Sequence, residues 1–341
     1  MNARTDATPS GTPGGDAFFN DPFHDGEKAA QARVDPLMRQ RLARTGAQVV
    51  RDHLPEQHRL FFNQLPMVVT GTLDAHGQPW ASALVGEPGF MHSPDPQHLD
   101  IRAHTLPGHP AGRVGTPGQA VGLLGLEWST RRRNRLNGLV LASDADGFSL
   151  RVLQSFGNCP KYITTRQPGR LPYTREVAVT DTEGLDTAAI ALIAQADTFF
   201  IATAHPDVAR HPAEIPRSHG VDVSHRGGPR GFVRIEDANH LCVPDFAGNF
   251  YFNTLGNLLL EPRAGLLFID FAGASLLYLA ARVRIQWTGS ELAAFAGAQR
   301  LLHLELLRVV RVDGGWPLQF APGDGSPFSQ ALGPWRDFSP I

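Results

Sequence analysis

The sequence predicts a mainly β protein in which one β domain, preceded by a helix, occurs twice. Three observations indicate this: short alternating apolar and polar runs bounded by turn residues, a length of 341 residues, and segments that recur in the same order in both halves. Small β domains must cover their sheet edges. We therefore expect each copy to close into a barrel and the two copies to pack as an internal pseudo-dimer.

The first half is predicted to run from a disordered tail into helices and then strands. Residues 1–35 begin with a stretch rich in Gly, Pro, Thr and Ser, which favours disorder. Residues 36–165 form the first domain. Apolar spacing predicts helices at residues 36–54 and 56–65, then two strands joined by a turn at residues 75–77. Further strands are predicted at residues 98–102, 120–127, 136–142 and 149–156.

The second half repeats this order after a Pro-rich linker, assigned to residues 166–180. Residues 181–341 form the second domain. Its "QADTFFIAT" matches the earlier "QLPMVVTGT", "FYFNTLGN" matches "IRAHTLPG", and "RAGLLFIDF" matches "AVGLLGLEW". In register between them, "VSHRGGPRGF" matches "ASALVGEPGF". Ordered matches of this kind are typical of an internal duplication.

Composition excludes several functional classes. A net charge of −2 does not favour nucleic-acid binding. No apolar run reaches the ~18–20 residues of a membrane helix, and the N-terminus has no apolar signal region, so the expectation is a cytoplasmic protein without membrane contact. Cys159 and Cys242 are too few for a disulfide framework or a thiolate zinc site.

Three segments carry a resemblance to a known family. "LPMVVTGTLDAHGQPWAS", "GNCPKYI" and "FYFNTLGNLLLEPRAGLLFIDF" are similar to the opening hairpin, the Cys-Pro-Lys motif and the phosphate-holding segment of the pyridoxamine 5'-phosphate oxidase-like superfamily. The resemblance implies two tandem FMN-binding split β-barrels with the flavin in the groove between them. Where oxidases of vitamin B6 carry an Arg-Lys pair, this chain has Leu255, Gly256 and Asn257, so the resemblance implies flavin binding without that substrate.

The candidate cofactor residues come from both halves. In the second half, hydroxyl, guanidinium and amide groups could hold phosphate, ribityl or ring atoms, and glycine would allow a close approach. The first half would add a basic stretch whose counterpart is apolar. The candidates are Ser224, His225, Arg226, Gly227, Asn253, Thr254, Asn257, Arg133, Asn134, Arg135 and Lys161. The alternatives are a polar hairpin corner at "HRGGPRG" and a solvated basic turn at "RRRNR".

These residues predict one composite FMN site per chain. The symmetry-related site would have Leu84 in place of Arg226 and Leu277 in place of Asn134, so it would lack the polar groups. The expected function is an FMN-dependent oxidoreductase acting on an unidentified small molecule, without an assigned catalytic residue. A haem-binding or haem-degrading protein and a non-catalytic flavin sensor are the alternatives. His205, His211, His219 and His225 are irregularly spaced in a Pro-rich context, so no metal site is expected. A homodimer in addition to the internal pseudo-dimer stays open.

Overall fold

The computed structural model describes residues 21–170, 176–210 and 215–336. In the described part of the chain, three helices precede the first sheet: α1 (Asp25–Val34), α2 (Pro36–Val49) and α3 (Glu56–Asn63). His24 caps α1, since its Nδ1 accepts a hydrogen bond from the Gly26 N–H while the Glu27 carboxylate accepts one from the His24 N–H. This reciprocal pair is a capping box, which fixes where a helix begins.

The first half is a seven-stranded antiparallel sheet in the order β2-β1-β5-β6-β7-β4-β3. Its strands are β1 (Met67–Leu73), β2 (Pro79–Val85), β3 (Met91–His92), β4 (His98–Ile101), β5 (Ala120–Glu127), β6 (Arg132–Ser143) and β7 (Phe148–Asn158).

The second half is an eight-stranded sheet whose main path is β11-β10-β14-β15-β16-β13-β12. Its strands are β9 (Ala178–Thr182), β10 (Thr198–Ala204), β11 (Val221–Gly227), β12 (Arg234–Ile235), β13 (His240–Asp245), β14 (Arg263–Ile269), β15 (Leu276–Gln286) and β16 (Arg300–Asp313). Its helices are α4 (Thr187–Gln195), α5 (Asp207–Arg210) and α6 (Asn253–Leu260), with 3-10 turns at Ser290–Ala294 and Pro327–Ser329. A separate ribbon pairs β8 (Arg166–Arg170) with β17 (Leu318–Pro322).

The two strand orders are the same once β1 is matched with β10 and each later strand with its successor. The registers agree to the residue: Leu84 pairs with Val68 in one half, and Arg226 pairs with Phe199 in the other. The predicted fold class, two tandem split β-barrels forming an internal pseudo-dimer, is confirmed.

The contact surface between the barrels, here called the seam, has pseudo-twofold symmetry. A Cβ atom on Gly122 of β5 would lie 2.2 Å from the Val221 carbonyl oxygen, and one on Gly265 of β14 would lie 2.1 Å from that of Pro79. Gly122 and Gly265 are counterparts, as are Val221 and Pro79. Glycine is therefore required on both strands, because backbone meets backbone at both crossings.

Each barrel has its own apolar core, and a third core fills much of the seam. Leu84 lies in the core of the first barrel and Leu277 in that of the second. The seam core includes Val69, Phe200 and Tyr278. Leu84 and Leu277 therefore do not fill a second site at the seam, as the sequence suggested; they face the barrel interiors.

Three other expectations need correction. Within the predicted tail, Asp25–Val34 is a helix that buries Ala30 and Gln31, and residues 1–20 lie outside the described part. The predicted linker contains strand β8 and the first three residues of β9, and its residues 171–175 are outside the described part. Strand β6 begins at Arg132 rather than at Leu136, because its polar N-terminal residues pair with β5. The domain boundaries otherwise stay a prediction.

Among the described residues, no helix is both long enough and apolar enough to span a bilayer.

Candidate functional site

A groove opens at one end of the seam, and we call it the seam groove. Strands β6 and β11, the loop after β13 and the first turn of α6 line it. Its lining residues are Leu124, Arg133, Arg135, Asn158, Ser224, His225, Arg226, Asp245, Phe246, Gly248, Asn249, Phe250, Phe252, Asn253, Thr254 and Leu255. Seven predicted site residues are among them, from both halves of the chain.

Arg135 crosses the seam from the first half to the second. Its guanidinium donates to the Asp222 carboxylate at 2.8 Å, to the Val223 carbonyl oxygen at 2.9 Å and to the Ser224 hydroxyl at 2.5 Å. The Arg135 side chain is 3% exposed, so this charge pair is held away from water. Burial lowers the pKa of Arg135, and the Asp222 charge opposes that shift.

The N-terminus of α6 forms a second wall of the groove. Phe252, which precedes the helix, has φ 61° and provides no side-chain cap. The first N–H groups of a helix have no intrahelical acceptor, which makes a helix start favourable for anions. The Thr254 hydroxyl donates to the Ser224 hydroxyl at 3.0 Å. Asn253 and Thr254 form the first turn of the helix.

Arg226 reaches the groove from β11 and pairs with the buried Asp245. The same carboxylate lies 3.4 Å from Arg300 Nη1, so two guanidinium groups share one carboxylate. The Arg226 Nε is buried without a hydrogen-bond partner in the described part of the chain. This cluster therefore keeps an excess of positive charge.

Arg133 adds a third guanidinium to the groove wall. Its Nε donates to the Cys159 carbonyl oxygen at 2.5 Å, and no carboxylate among the described residues forms an ion pair with it. Burial lowers the pKa of Arg133 to about 10, and the nearby charges of Arg135 and Arg226 act in the same direction. The three like charges remain close together, which an anion in the groove would stabilise.

His225 lies on the seam face of β11. Burial, and then the charges of Arg133, Arg166 and Arg226, hold its pKa well below the ordinary histidine value. The imidazole is therefore neutral at pH 7. Its Nε2 is buried and finds no hydrogen-bond partner among the residues described.

Three aromatic rings also line the groove. Phe246, Phe250 and Phe252 stand on the loop between β13 and α6. Phe250 and Phe252 have φ of 63° and 61°, a left-handed conformation that is uncommon for large side chains. Strain of this kind concentrates at functional sites, where surrounding structure holds it.

The sequence did not reveal a buried polar network behind the groove. Asp222 accepts hydrogen bonds from Arg135, from the Asn137 amide at 2.9 Å and from the Asn257 amide at 2.9 Å. Glu27 of α1 accepts a hydrogen bond from Asn253. Burial, and then the nearby Asp222 charge, raise the pKa of Glu27 well above its ordinary value.

Close contact between α1 and α6 holds Glu27 in place. A Cβ atom on Gly26 would lie 2.2 Å from the Gly256 carbonyl oxygen, and one on Gly256 would lie 2.6 Å from the Glu27 Cγ. The capping box at the start of α1 uses a histidine in place of the usual serine or threonine, so the sequence does not show it.

Four predicted residues lie outside the groove. Asn134 points to the other face of β6 from Arg133 and Arg135, because side chains alternate along a strand. Asn257 is buried behind Asp222. Gly227 makes room for protein backbone, since a Cβ atom there would lie 2.0 Å from the Tyr162 carbonyl oxygen. Lys161 lies over the Phe328 ring at 5.2 Å.

The pseudosymmetric position on the seam is filled by apolar and aromatic groups. Leu276 and Tyr278 stand where the other copy has Arg133 and Arg135. Tyr278 lies beside Ser82, the counterpart of Ser224, and burial raises its pKa. Trp316 and Phe320, from the C-terminal segment, complete this packed region.

No protein-family model matches the chain, and no curated protein matches its sequence. Among solved structures, a substituted HupZ of Group A Streptococcus is 11% identical, with a TM-score of 0.28, over 37% of this chain and 98% of that one. A putative pyridoxamine 5'-phosphate oxidase from Lactobacillus delbrueckii is 16% identical, also with a TM-score of 0.28, over 38% of this chain and 94% of that one.

Proposed function

We propose that the seam groove binds FMN and that the protein is a flavin-dependent oxidoreductase acting on a small molecule. The observation that carries this proposal is the meeting of Arg133, Arg135 and Arg226 with the α6 N-terminus in one groove. A phosphate monoester needs several donors and positive charge, and this wall supplies both.

The groove residues also fit the rest of such a cofactor. Phe246, Phe250 and Phe252 offer apolar surface for a planar ring. The unpartnered Nε2 of His225 and Nε of Arg226 leave polar atoms for its ribityl or ring oxygens.

Bound FMN would supply hydride-transfer chemistry that no amino-acid side chain can provide. The protein's own residues would bind, orient and neutralise charge. Arg135 would hold the two barrels in register through Asp222, and Arg133 and Arg226 would stabilise negative charge in the groove. The neutral His225 would offer a hydrogen bond without adding a fourth positive charge.

The test is a titration of the purified full chain with FMN, followed by gel filtration and a visible spectrum. We expect retained flavin absorbance for the wild-type chain and a much weaker complex for Arg133→Leu. This substitution gives position 133 the residue type of its counterpart, Leu276. Arg308→Leu is the matched control, because Arg308 pairs with Asp181 on the outer surface. A chain that retains no flavin, or equal retention by both variants, would refute the proposal.

Haem is a second candidate for the same groove, and one observation favours it. The buried His225 imidazole has a low pKa and an unpartnered Nε2, the properties of an iron ligand. A Soret band that His225→Ala abolishes, with no retained flavin, would select haem instead.

A further inference from the structure

The hairpin loop between β10 and β11 contains a cluster of metal-binding residue types, apart from the seam groove. In the first half, residues 74–78 suffice to join β1 to β2, whereas residues 205–220 join β10 to β11. Of this longer loop, residues 211–214 lie outside the described part. Its described residues include His205, Asp207 and His219.

The fold brings these three side chains together although their spacing along the chain is irregular. His219 Nδ1 lies 2.9 Å from the Asp207 Oδ2, and His205 Nδ1 lies 3.6 Å from the same oxygen. His205 Nδ1 also accepts a hydrogen bond from the Asp207 N–H at 3.2 Å, which an ion at this nitrogen would replace. One ligand atom from each residue lies within 4.8 Å of the other two. With metal–ligand bonds of about 2.0–2.2 Å, ligand atoms around a tetrahedral ion are roughly 3.4 Å apart. Small side-chain adjustments would therefore enclose an ion.

A third imidazole faces this group from the N-terminal helix. The His24 ring centroid lies 5.0 Å from that of His205 and 6.1 Å from that of His219. His24 Nδ1 accepts from the Gly26 N–H, and its buried Nε2 lies 3.6 Å from a carboxylate oxygen of Glu27. The His205 and His219 rings stack with their centroids 3.7 Å apart, so an ion would bind at their edges, where the nitrogen lone pairs lie.

We propose that His205, Asp207 and His219 bind one divalent transition-metal ion of the zinc class, with His24 forming the inner wall of the site. Two imidazoles and a carboxylate suit Zn²⁺, Co²⁺ or Ni²⁺, whereas Mg²⁺ and Ca²⁺ prefer oxygen ligands alone. In the corresponding turn of the first half, the carboxylate of Asp74 instead accepts hydrogen bonds from the His76 and Gln78 N–H groups and from Trp80.

The ion would hold the two ends of the β10–β11 loop together. His24, which caps α1, packs against the imidazoles of this loop. Metal binding would therefore fix the surface against which the start of α1 packs. The site does not depend on the proposed flavin, since none of its three ligands lines the seam groove.

The experiment is a Co²⁺ titration of the tag-free full chain, followed by visible absorption and calorimetry. We expect one Co²⁺ per chain and the absorption bands of a site with nitrogen and oxygen ligands. His219→Ala and the half-exposed Asp207→Asn should each weaken Co²⁺ binding at least about tenfold.

His98→Ala is the matched control, because His98 lies 2.8 Å from Asp95 in an exposed pair without a second imidazole. It should leave the Co²⁺ affinity unchanged. Circular dichroism without metal shows that each variant is folded, and Asp207→Asn keeps the test valid if His219→Ala unfolds. A wild-type chain that binds no Co²⁺, or folded variants that bind it with wild-type affinity, would overturn the proposal.

Discussion

The two ends of the seam have the same backbone and opposite chemistry. At one end Arg135 reaches from β6 to Ser224 of the opposite barrel, and at the other its counterpart Tyr278 lies beside Ser82, the counterpart of Ser224. The first end is an open, positively charged groove, and the second is a packed core. A duplicated fold therefore supplies two equivalent positions, and the side chains on two strands determine which one stays open.

The difference also shows why the buried Asp222 carboxylate must be paired. Asp222 is 3% exposed and is held by Arg135, Asn137 and Asn257, whereas its counterpart Trp80 is apolar and 1% exposed. A buried charge is tolerated only when it is paired and hydrogen-bonded. The open groove therefore depends on a network behind it that the closed end does not need.

The largest effect is expected when Arg135, at the open end of the seam, is replaced by tyrosine, the residue type of its counterpart Tyr278. Arg135→Tyr removes the partner of Asp222 and should lower the free energy of unfolding by about 3–5 kcal/mol, because it leaves a buried carboxylate unpaired. FMN affinity should fall as well. Chemical denaturation and flavin fluorescence measure the two quantities, and Arg135→Lys provides a charged variant if Arg135→Tyr does not fold. Tyr278→Leu, the matched change, should keep FMN affinity; an equal loss from both would contradict the comparison.

A smaller effect is expected at the next matched pair. Arg226→Leu should weaken FMN binding by about 1.5–3 kcal/mol, the range for a hydrogen bond to a charged group. Folding should change less, because Asp245 keeps Arg300. Leu84→Ala, at the counterpart position, should instead cost about 2–5 kcal/mol of stability through a core cavity and leave flavin binding intact. Isothermal titration of both variants with FMN decides between these outcomes.

The pH dependence of stability tests the role of His225, whose counterpart at the other end of the seam is Ala83. His225 has a lowered pKa in the folded protein, so the unfolded chain binds more protons once the pH falls below about 6.5. Its contribution to stability is present above that pH and is lost as the pH falls, by up to about 1.4 kcal/mol per pH unit. His225→Ala, which introduces the counterpart Ala83, should flatten this slope in urea denaturations from pH 7 to pH 5. An unchanged slope would remove His225 from the account.

The smallest effect is expected from the two serines. Ser224 accepts hydrogen bonds from Arg135 and Thr254, so Ser224→Ala should weaken FMN binding by about 0.5–1.5 kcal/mol. The Ser82 hydroxyl is buried beside Tyr278 at the closed end of the seam, so Ser82→Ala should leave flavin binding unchanged. Melting temperatures and flavin titrations of the two variants give the comparison. Weaker flavin binding by Ser82→Ala would show that the closed end also contributes.

The internal repeats predicted the fold well, because two copies with the same two-residue alternation of side chains form sheets with the same register. Matching "VSHRGGPRGF" with "ASALVGEPGF" already aligned Arg226 with Leu84 as equivalent positions, and the strand pairing agrees. The orientation of side chains across the seam could not be predicted in the same way. Asn134 and Arg135 are neighbours in sequence, yet only the arginine faces the groove.

The N-terminal helix was missed for a different reason. The stretch before Pro36 has few apolar residues, and α1 is held by a glycine contact with α6 and by Glu27 rather than by an apolar face. Such contacts join residues more than 200 positions apart, as in Glu27 and Asn253. No local pattern indicates them.

The number of FMN molecules bound per chain tests directly whether only one end of the seam is open to the cofactor. Calorimetric titration of the full chain, with the bound flavin counted independently from its absorbance after gel filtration, gives this number. We expect one FMN per chain, because Tyr278, Leu276 and Trp316 fill the other end of the seam. Two per chain would show that both ends are open, and none would show that the groove serves another ligand.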